Sequence, residues 1–506
     1  MRPWPAIRVC KRLACRLTCG LAVLLASAAA VPPAAHAAPR PPIAQAGPPA
    51  RVLAPEIEQL LLRERIPLGA LSVVVQEAGS GAQQVSLNAQ QPRNPASIAK
   101  LVTTNAALDI LGPAYTWTTP VWLAGSVKDG VLDGHLHLQG RGDPKLVLER
   151  VWLLLDRLRR LGVQEIRGDI VLDQSAFVVP ETSTAEFDNE PLRPYNVRAQ
   201  ALLLNLNAVL YTFTPDAARG VATVMPEPTL AGVRSEATVA LAAGPCEDWR
   251  AALKATHADP LRVRFAGAYP LSCGERVWAV AYPDPPAYAA RLIENLWRGM
   301  GGRLTGTVRE GVAPAGVKPS FELVSPPLAE VVRDINKFSN NVMAQQLFLT
   351  LALHRDGSRA TPEAARELLR QWLAERLGES AEGVVLDNGS GLSRDTRLSA
   401  ALLARLLQSA WASPVMPELM ASLPVNGLDG TLRRSRATAG RAHLKTGSLR
   451  DALGIAGYVL SDSGKRYVLV ALVNHPNAHA ARPALDALVQ WTIADLAPRG
   501  LRQAPP

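Results

Sequence analysis

The stretch Pro95-Ala96-Ser97-Ile98-Ala99-Lys100-Leu101-Val102 places a serine and a lysine three residues apart at the start of an apolar segment. In a helix, side chains at i and i+3 share a face, so the amine of Lys100 can reach the hydroxyl of Ser97. Pro95 favours a helix start here. Ser97 then lies in the first turn, where free N–H groups favour a developing negative charge.

This pairing of Ser97 with Lys100 predicts an activated nucleophile. A serine attacks well only when a neighbouring base takes its proton. A lysine can act as that base when burial or nearby cations keep it neutral. An ordinary buried helix that carries one serine and one lysine by chance is the alternative interpretation.

Two further triplets carry groups suited to the same chemistry. Ser339-Asn340-Asn341 lies at the start of a helical stretch, where Ser339 is a candidate helix cap, and capping alone is the alternative interpretation. Within a site, the Ser339 hydroxyl near Lys100 can relay a proton. The Asn341 amide can both donate to and accept from a peptide group.

The third motif, Lys445-Thr446-Gly447 followed by Ser448, lies on a predicted strand near the C-terminal end. A glycine inside a strand lets a substrate backbone approach closely. Lys445 and Thr446 offer a charge and a hydroxyl to a carboxylate. The N–H of Ser448, together with that of Ser97, can form an oxyanion hole.

Residues 1–37 have the pattern of a secretory signal peptide. Five basic residues accompany the apolar run Leu17–Val31, and Ala35-His36-Ala37 is a suitable cleavage site. An uncleaved membrane anchor is the alternative, but the apolar run is short for a span. We therefore expect export to the periplasm, with residues 38–50 as an Ala/Pro-rich disordered lead-in. The tail 498–506 is too short and broken for an amphipathic anchor, so we expect at most loose membrane association.

Charge and cysteine content narrow the class further. Loss of the signal lowers the formal net charge from +10 to +5, which is mild for 506 residues, and no aromatic-interleaved basic patch predicts nucleic-acid binding. Cys246 and Cys273 remain as an even pair in an exported protein, which predicts a disulfide. His135 and His137 have no third ligand at a zinc-like spacing, so we expect no metal and no cofactor.

The order of predicted elements indicates one α/β domain whose middle is inserted. Strand patterns precede the Ser97 helix, while long helices, three strands and a final helix follow residue 318. Short alternating strands fill the middle. We expect a discontinuous domain over 51–114 and 319–497. The β-rich insertion over 115–318 is compatible with a nested subdomain at about 220–288.

In this order, the three triplets resemble the Ser-x-x-Lys, Ser-x-Asn and Lys-Thr-Gly motifs of the penicillin-recognising serine acyl-transferases. The 242 residues between Ser97 and Ser339 exceed the spacing of a compact β-lactamase. A β-rich insertion in that gap resembles the low-molecular-mass class C penicillin-binding proteins, the D-alanyl-D-alanine carboxypeptidase/endopeptidases of the penicillin-binding protein 4 type. Further stretches agree with the resemblance, which covers roughly Pro55 to Leu496: Gly142-Asp143-Pro144, Gly168-Asp169-Ile170 with Asp173, 387–394 and 423–432.

The resemblance implies an α/β fold of the serine β-lactamase and penicillin-binding transpeptidase type, an antiparallel sheet with helices that carries the large β-rich insertion. It implies these roles: nucleophile Ser97, general base Lys100, proton relay Ser339, substrate amide contact Asn341, and carboxylate binding by Lys445 and Thr446 on the strand with Gly447 and Ser448. Asp188, in Phe187-Asp188-Asn189-Glu190-Pro191, is a candidate for the acidic residue by which the insertion meets the substrate's amino side chain. An exposed loop aspartate is the alternative.

The implied function is hydrolysis of peptidoglycan stem peptides and cross-links through an acyl-enzyme on Ser97, with β-lactams as covalent inhibitors. One alternative is a β-lactamase or esterase on the same scaffold. The other is a non-catalytic cell-wall binding protein. Intact Ser97, Lys100 and Lys445 count against the second alternative, because binding alone requires no nucleophile–base pair.

Overall fold

A computed structural model gives the structure of residues 53–357, 359–378 and 383–496. The predicted signal peptide 1–37, the lead-in 38–50 and the tail 498–506 lie outside these described residues. The first elements of the chain are α1 (Pro55–Arg63), β1 (Leu71–Glu77), β2 (Gln83–Leu87) and α2 (Lys100–Ile110).

The middle of the chain consists mostly of short strands. Its elements are β3 (Thr118–Lys128), β4 (Val131–Gln139), α3 (Leu148–Arg160), β5 (Glu165–Ile166), β6 (Ile170–Asp173), β7 (Ala208–Asp216), β8 (Val221–Glu227), β9 (Arg234–Ser235), β10 (Thr238–Ala242), α4 (Trp249–Ala252), β11 (Ala255–Asp259), β12 (Arg262–Phe265), β13 (Ala268–Pro270), β14 (Arg276–Ala281), α5 (Pro285–Gly299), β15 (Arg303–Leu304), β16 (Val308–Glu310) and β17 (Phe321–Val324).

Long helices return after the middle segment, followed by three strands and a last helix. These elements are α6 (Leu328–Phe338), α7 (Asn341–Asp356), α8 (Pro362–Leu377), α9 (Ala400–Trp411), α10 (Met416–Ser422), β18 (Ala442–Leu449), β19 (Ala452–Leu460), β20 (Arg466–Asn474) and α11 (Arg482–Ile493).

Strands from both ends of the chain form one antiparallel sheet in the order β18-β19-β20-β1-β2. Successive side chains of a strand point to opposite faces. In β1, Val74 joins the apolar cluster of α2 and α6–α9, whereas Val73 and Val75 join the cluster of α1 and α11. The sheet is therefore buried on both faces, between two layers of helices. The strand β18 lies at its edge.

The inserted strands form sheets of their own. In the described chain, the larger sheet runs β15-β5-β4-β3-β17, with β6 beside β4 and β16 beside β6. A second sheet runs β13-β10-β8-β7-β14, and β11-β12-β9 form a third. One apolar cluster joins them, since Leu136 of the larger sheet, Phe213 of the second and Trp297 of α5 belong to the same core. We propose that the strands between Ala208 and Ala281 are the nested subdomain.

The insertion extends beyond the expected boundary at residue 318. Strand β17 pairs antiparallel with β3, with Phe321 opposite Val121. We therefore propose that the insertion ends after Val324. Within the described ranges, no helix combines the length and apolar character needed to cross a bilayer.

The predicted pair Cys246 and Cys273 forms a disulfide in this insertion, with 27 residues of sequence separation. Cys273 is buried in the insertion's core, and Cys246 packs against it. The cross-link therefore ties the segment after β10 to the turn between β13 and β14.

Replacing Cys246 and Cys273 together by Ser should lower the free energy of unfolding of the insertion by about 3–4 kcal/mol, because the cross-link restricts the unfolded chain. Urea unfolding followed by tryptophan fluorescence measures this loss. Dithiothreitol should shift the unfolding midpoint of the wild type toward that of the double variant and leave the variant unaffected. Equal midpoints for the oxidised wild type and the variant would contradict the expectation.

Candidate active site

Ser97 lies in a single 3-10 turn, Ala96–Ala99, that continues directly into α2. Ala96 has a positive φ of 48°, which is uncommon for a residue other than glycine. The turn is tied to the sheet through Asn94, whose main-chain N–H and C=O both bind the side-chain amide of Asn474 at the end of β20. The backbone before Ser97 is thus held in a strained conformation by a pair of hydrogen bonds.

Lys100 has no exposed surface, and its Nζ lies within hydrogen-bonding distance of three groups. These are the hydroxyl of Ser97 at 2.9 Å, Oδ1 of Asn341 at 2.6 Å and the main-chain oxygen of Ser390 at 2.6 Å. Burial first, and then the charge of Lys445, hold the pKa of Lys100 well below its ordinary value.

The three partners of Lys100 match a neutral amine. A neutral amine has two N–H donors and one lone pair. The oxygens of Asn341 and Ser390 can only accept, so they take the two donors. The lone pair then faces the Ser97 hydroxyl, which can donate its proton. The arrangement is therefore able to remove the proton of Ser97.

Lys445 is the second fully buried lysine of the site. Its Nζ donates to Oγ of Ser339 at 2.9 Å and to the main-chain oxygen of Thr446 at 2.8 Å. Burial lowers the pKa of Lys445 to about 7. The Ser339 hydroxyl, expected beside Lys100, thus makes its hydrogen bond with the second lysine.

The turn between α6 and α7 corrects the predicted cap. Ser339 has a left-handed conformation at the end of α6, with φ of 57°. The helix cap of α7 is Asn340, whose side chain accepts from the N–H of Met343 at 3.0 Å. Ser339 is therefore free to turn its hydroxyl toward Lys445.

Asn341 and Asp188 are linked through Tyr195 of the insertion. The amide nitrogen of Asn341 lies 3.5 Å from the main-chain oxygen of Tyr195. The carboxylate of Asp188 accepts from the Tyr195 hydroxyl at 2.7 Å and from Asn196 Nδ2 at 2.8 Å. Asp188 thus shapes the loop that reaches the site, and Asn341 contacts Lys100 and this loop.

The edge strand β18 carries Thr446, Gly447 and Ser448 past Ser97. The sequence predicts that Gly447 lets a substrate backbone approach the strand. In the structure, the chain's own backbone lies against this glycine. A Cβ added to Gly447 would lie 2.4 Å from the oxygen of Pro95. The glycine lets the Ser97 turn pack on the strand. On the other face of β18, Thr446 donates to Thr431 Oγ1 at 2.7 Å.

Ser390 and Thr431 contact the site but were given no role from the sequence. The sequence signal for these two positions is the glycine next to each, Gly391 after Ser390 and Gly430 before Thr431. Gly391 has a φ of 74°, and an added Cβ would lie 1.9 Å from the oxygen of Ala96. A Cβ added to Gly430 would lie 2.5 Å from the main-chain oxygen of Lys337.

A cavity of about 270 Å³ opens at this edge of the sheet and is lined by Ser97, Ser339, Thr431, Thr446 and Ser448, among others. A serine with a buried amine of lowered pKa beside it, at the mouth of a cavity lined by hydroxyls of which one bonds a second buried lysine, can carry out acyl transfer. The fold and these groups together define the class of the penicillin-recognising serine acyl-transferases.

The D-Ala-D-Ala carboxypeptidase 3 (S13) family matches residues 53–494, and the chain belongs to that family. The chain is 28% identical over 467 residues to the D-alanyl-D-alanine carboxypeptidase of Actinomadura sp. (strain R39), covering 86% of this chain and 84% of the relative. It is 25% identical over 397 residues to D-alanyl-D-alanine carboxypeptidase DacB of Haemophilus influenzae, covering 75% and 80%.

The crystal structure of penicillin binding protein 4 (dacB) from Haemophilus influenzae matches with a TM-score of 0.69 at 22% identity, covering 86% of this chain and 99% of that chain. This likeness shows the fold. The predicted family, fold class and serine peptidase class are thereby confirmed.

Replacing Asn341 by Asp should raise the pKa of Lys100, because a carboxylate oxygen would take the place of the amide oxygen 2.6 Å from Nζ. An opposite charge at this distance favours the protonated amine by one pKa unit or more, so acylation at neutral pH should slow about tenfold or more. The acid limb of the pH profile should move to higher pH. The second-order rate of acylation by penicillin, measured across pH, tests this.

Asn340→Asp is the matched control, because it adds the same charge one residue away and aspartate caps a helix as well as asparagine. Its carboxylate would accept from Met343 N–H, as Asn340 now does. Similar shifts of the acid limb in both variants would contradict a specific contact between Asn341 and Lys100.

Proposed function

We propose that this protein is a periplasmic serine D-Ala-D-Ala carboxypeptidase/endopeptidase that hydrolyses peptidoglycan stem peptides and cross-links through an acyl-enzyme on Ser97. The observation that carries the proposal is the fully buried amine of Lys100, 2.9 Å from the Ser97 hydroxyl. Burial favours the neutral form of a lysine amine, and only the neutral form can accept the proton of Ser97. Membership of the S13 family supports the substrate class.

In the first half of the reaction, Lys100 takes the proton of Ser97 as Ser97 Oγ attacks the carbonyl carbon of the penultimate D-alanine. The N–H groups of Ser97 and Ser448 are assigned to the oxyanion. The C–N bond then breaks, the leaving amine takes the proton of the Ser339 hydroxyl, and the proton that Lys100 took from Ser97 replaces it. Because Lys445 donates to Ser339 Oγ, the Ser339 hydroxyl hydrogen is free to point at that amine.

In the second half, water attacks the ester on Ser97. Lys100, neutral again after giving up its proton, serves as the base for this water. The ester C–O bond breaks, Ser97 recovers its proton, and the shortened stem leaves as an acid. We assign Lys445 and Thr446 to the carboxylate of the leaving residue. The Thr446 hydroxyl and Ser339 line the cavity, the buried amine of Lys445 lies behind them on Ser339 Oγ, and an ammonium close to a carboxylate forms charge-assisted hydrogen bonds.

Asp188 and the substrate's amino side chain are a further part of the proposal. Asp188 is only partly buried and lies on the loop whose Tyr195 main chain reaches Asn341. A carboxylate at this position can attract an amine on the acyl side of the substrate. The export signal over 1–37 and the disulfide both support a periplasmic location.

Ser97→Ala should abolish D-alanine release and covalent labelling by penicillin, because no other group replaces the nucleophile. Intact mass over time measures labelling, and it also separates the alternative functions. A carboxypeptidase should hold the added penicillin mass, whereas a β-lactamase should lose it quickly, and a non-catalytic binder should never gain it.

The control for this variant is Ser80→Ala, which removes an exposed hydroxyl from the β1–β2 turn, where Ser80 Oγ donates to Glu77 and accepts from the N–H of Ala82. It should label like the wild type. Stable labelling of the Ser97→Ala protein at another residue would overturn the assignment of the nucleophile.

Lys445→Ala should lower kcat/KM by about one to two orders of magnitude, since a charge-assisted hydrogen bond contributes roughly 1.5–3 kcal/mol. The loss should shrink for a substrate whose terminal carboxylate is amidated. The pKa of Lys445 is about 7, so its amine loses its charge as the pH rises past that value. The ratio of kcat/KM for the carboxylate substrate to that for the amidated substrate should therefore fall over the same range.

Lys445→Arg is the matched variant, because it keeps the charge while changing a compact ammonium for a planar fork. It should retain more activity than Lys445→Ala. Measuring kcat/KM for the carboxylate and the amidated substrate with the wild type, Lys445→Ala and Lys445→Arg completes a double-mutant-style cycle. Losses that simply add would exclude a contact between Lys445 and the carboxylate.

A further inference from the structure

The cavity that contains Ser97 does not end at Thr446. It continues around the edge strand β18, between the 431–435 segment and α11. Its far wall is apolar, with Leu453 and Leu485 among its residues. A leaving group as small as D-alanine, whose side chain is a single methyl group, would leave most of this space unfilled.

Two arginines line the far part of this cavity and have no ionic partner in the described part of the chain. They are Arg434, beyond Thr431, and Arg482, at the start of α11, and both are exposed. Asp486 lines the same cavity. Its carboxylate is already occupied by the Ser435 hydroxyl at 2.7 Å and by the N–H of Arg436 at 3.2 Å.

The charge of this far part is therefore positive. Its lining combines one carboxylate that accepts from neutral donors with two guanidinium groups that form no ion pair within the described residues. Guanidinium groups bind carboxylates through a planar pair of donors. A ligand that fills this part of the cavity should accordingly combine an aliphatic stem with carboxylates.

The position of this space relative to Ser97 identifies which side of the substrate it would hold. On the proposed function, Lys445 and Thr446 hold the carboxylate next to the amine that leaves. Space beyond Thr446 then lies on the leaving side of the scissile bond. In a cross-link, that side is a second peptide stem, attached through the amine of its diamino acid.

We propose that Arg434 and Arg482 form a subsite for the anionic second stem of a peptidoglycan cross-link, and so favour cross-link cleavage over release of single D-alanine. The inference rests on the proposed function. In this cleavage Ser97 Oγ bonds to the D-alanine carbonyl carbon, the C–N bond to the second stem breaks, and the stem's amine takes the proton. Water then hydrolyses the ester.

The test compares three synthetic substrates: a stem pentapeptide ending in D-Ala-D-Ala, a cross-linked peptide dimer with free carboxylates on its leaving stem, and the same dimer with those carboxylates amidated. The quantity measured is the ratio of kcat/KM for dimer cleavage to that for D-alanine release. Arg434→Gln and Arg482→Gln should each lower the ratio severalfold, up to about fivefold as for an exposed ion pair. The double variant should lower it by roughly tenfold or more.

Arg433→Gln is the matched control, because Arg433 is exposed on the same segment but does not line the cavity. Its ratio should equal that of the wild type. For the amidated dimer, the Arg434 and Arg482 variants should also match the wild type.

An unchanged ratio in the double variant would overturn the inference, as would a fall of the same size with the amidated dimer or with Arg433→Gln. A wild type that releases D-alanine but cleaves no dimer would overturn it as well. A wild type that hydrolyses none of the three substrates would instead contradict the proposed function, and the subsite with it.

Discussion

The burial of Lys100 is the constraint on which the site depends. An amine without access to water must have its donors satisfied, or its burial costs free energy. The acceptors come from two distant segments, through Asn341 and the main chain of Ser390, and the hydroxyl of Ser97 completes the set. The three segments are held together by the helical core on one face of the sheet, and this core keeps Lys100 dry. Assembly of these three segments therefore both buries Lys100 and brings its amine to Ser97.

The insertion contributes to this site through a loop and not through its sheets. Gln346 of α7, which is fully buried, binds both the N–H and the C=O of Gln200, at 3.0 and 2.9 Å. This pair of bonds fixes the loop that carries Tyr195 against Asn341. On the same side, Arg394 donates to the main-chain oxygen of Phe187 and covers its ring. The groups that support Lys100 are thus themselves supported by the insertion, so a change in the loop can alter the base without touching it.

Apolar periodicity predicted the strands before Ser97 and the long helices after residue 318, and the family resemblance of the three motifs predicted the fold class. The sequence also selected the residues that surround the nucleophile. It did not predict the carbonyl of Ser390 as a partner of Lys100, since every residue has a carbonyl and only tertiary packing decides which one is used. Likewise the reason for Gly447 lies in Pro95, 352 positions earlier in the chain. The hydrogen bond between Ser339 and Lys445 was not predicted, because spacing along the chain does not show which buried lysine a distant hydroxyl will bond.

The edge position of β18 explains how two buried lysines can serve a substrate that comes from water. An edge strand leaves half of its backbone donors and acceptors unpaired, and an extended peptide can add to it as a further strand. Lys445 and Thr446 alternate across this strand, so Lys445 points to the helical core and Thr446 to the cavity beside α11. A peptide bound along the edge would have its scissile bond over Ser97, between the two faces. One strand can therefore present a buried charge that lowers the pKa of Lys100 on one face and a hydroxyl that lines the cavity on the other. Moving the register by one residue would exchange these two faces, which is why the close packing of Gly447 on Pro95 matters for chemistry as well as for folding.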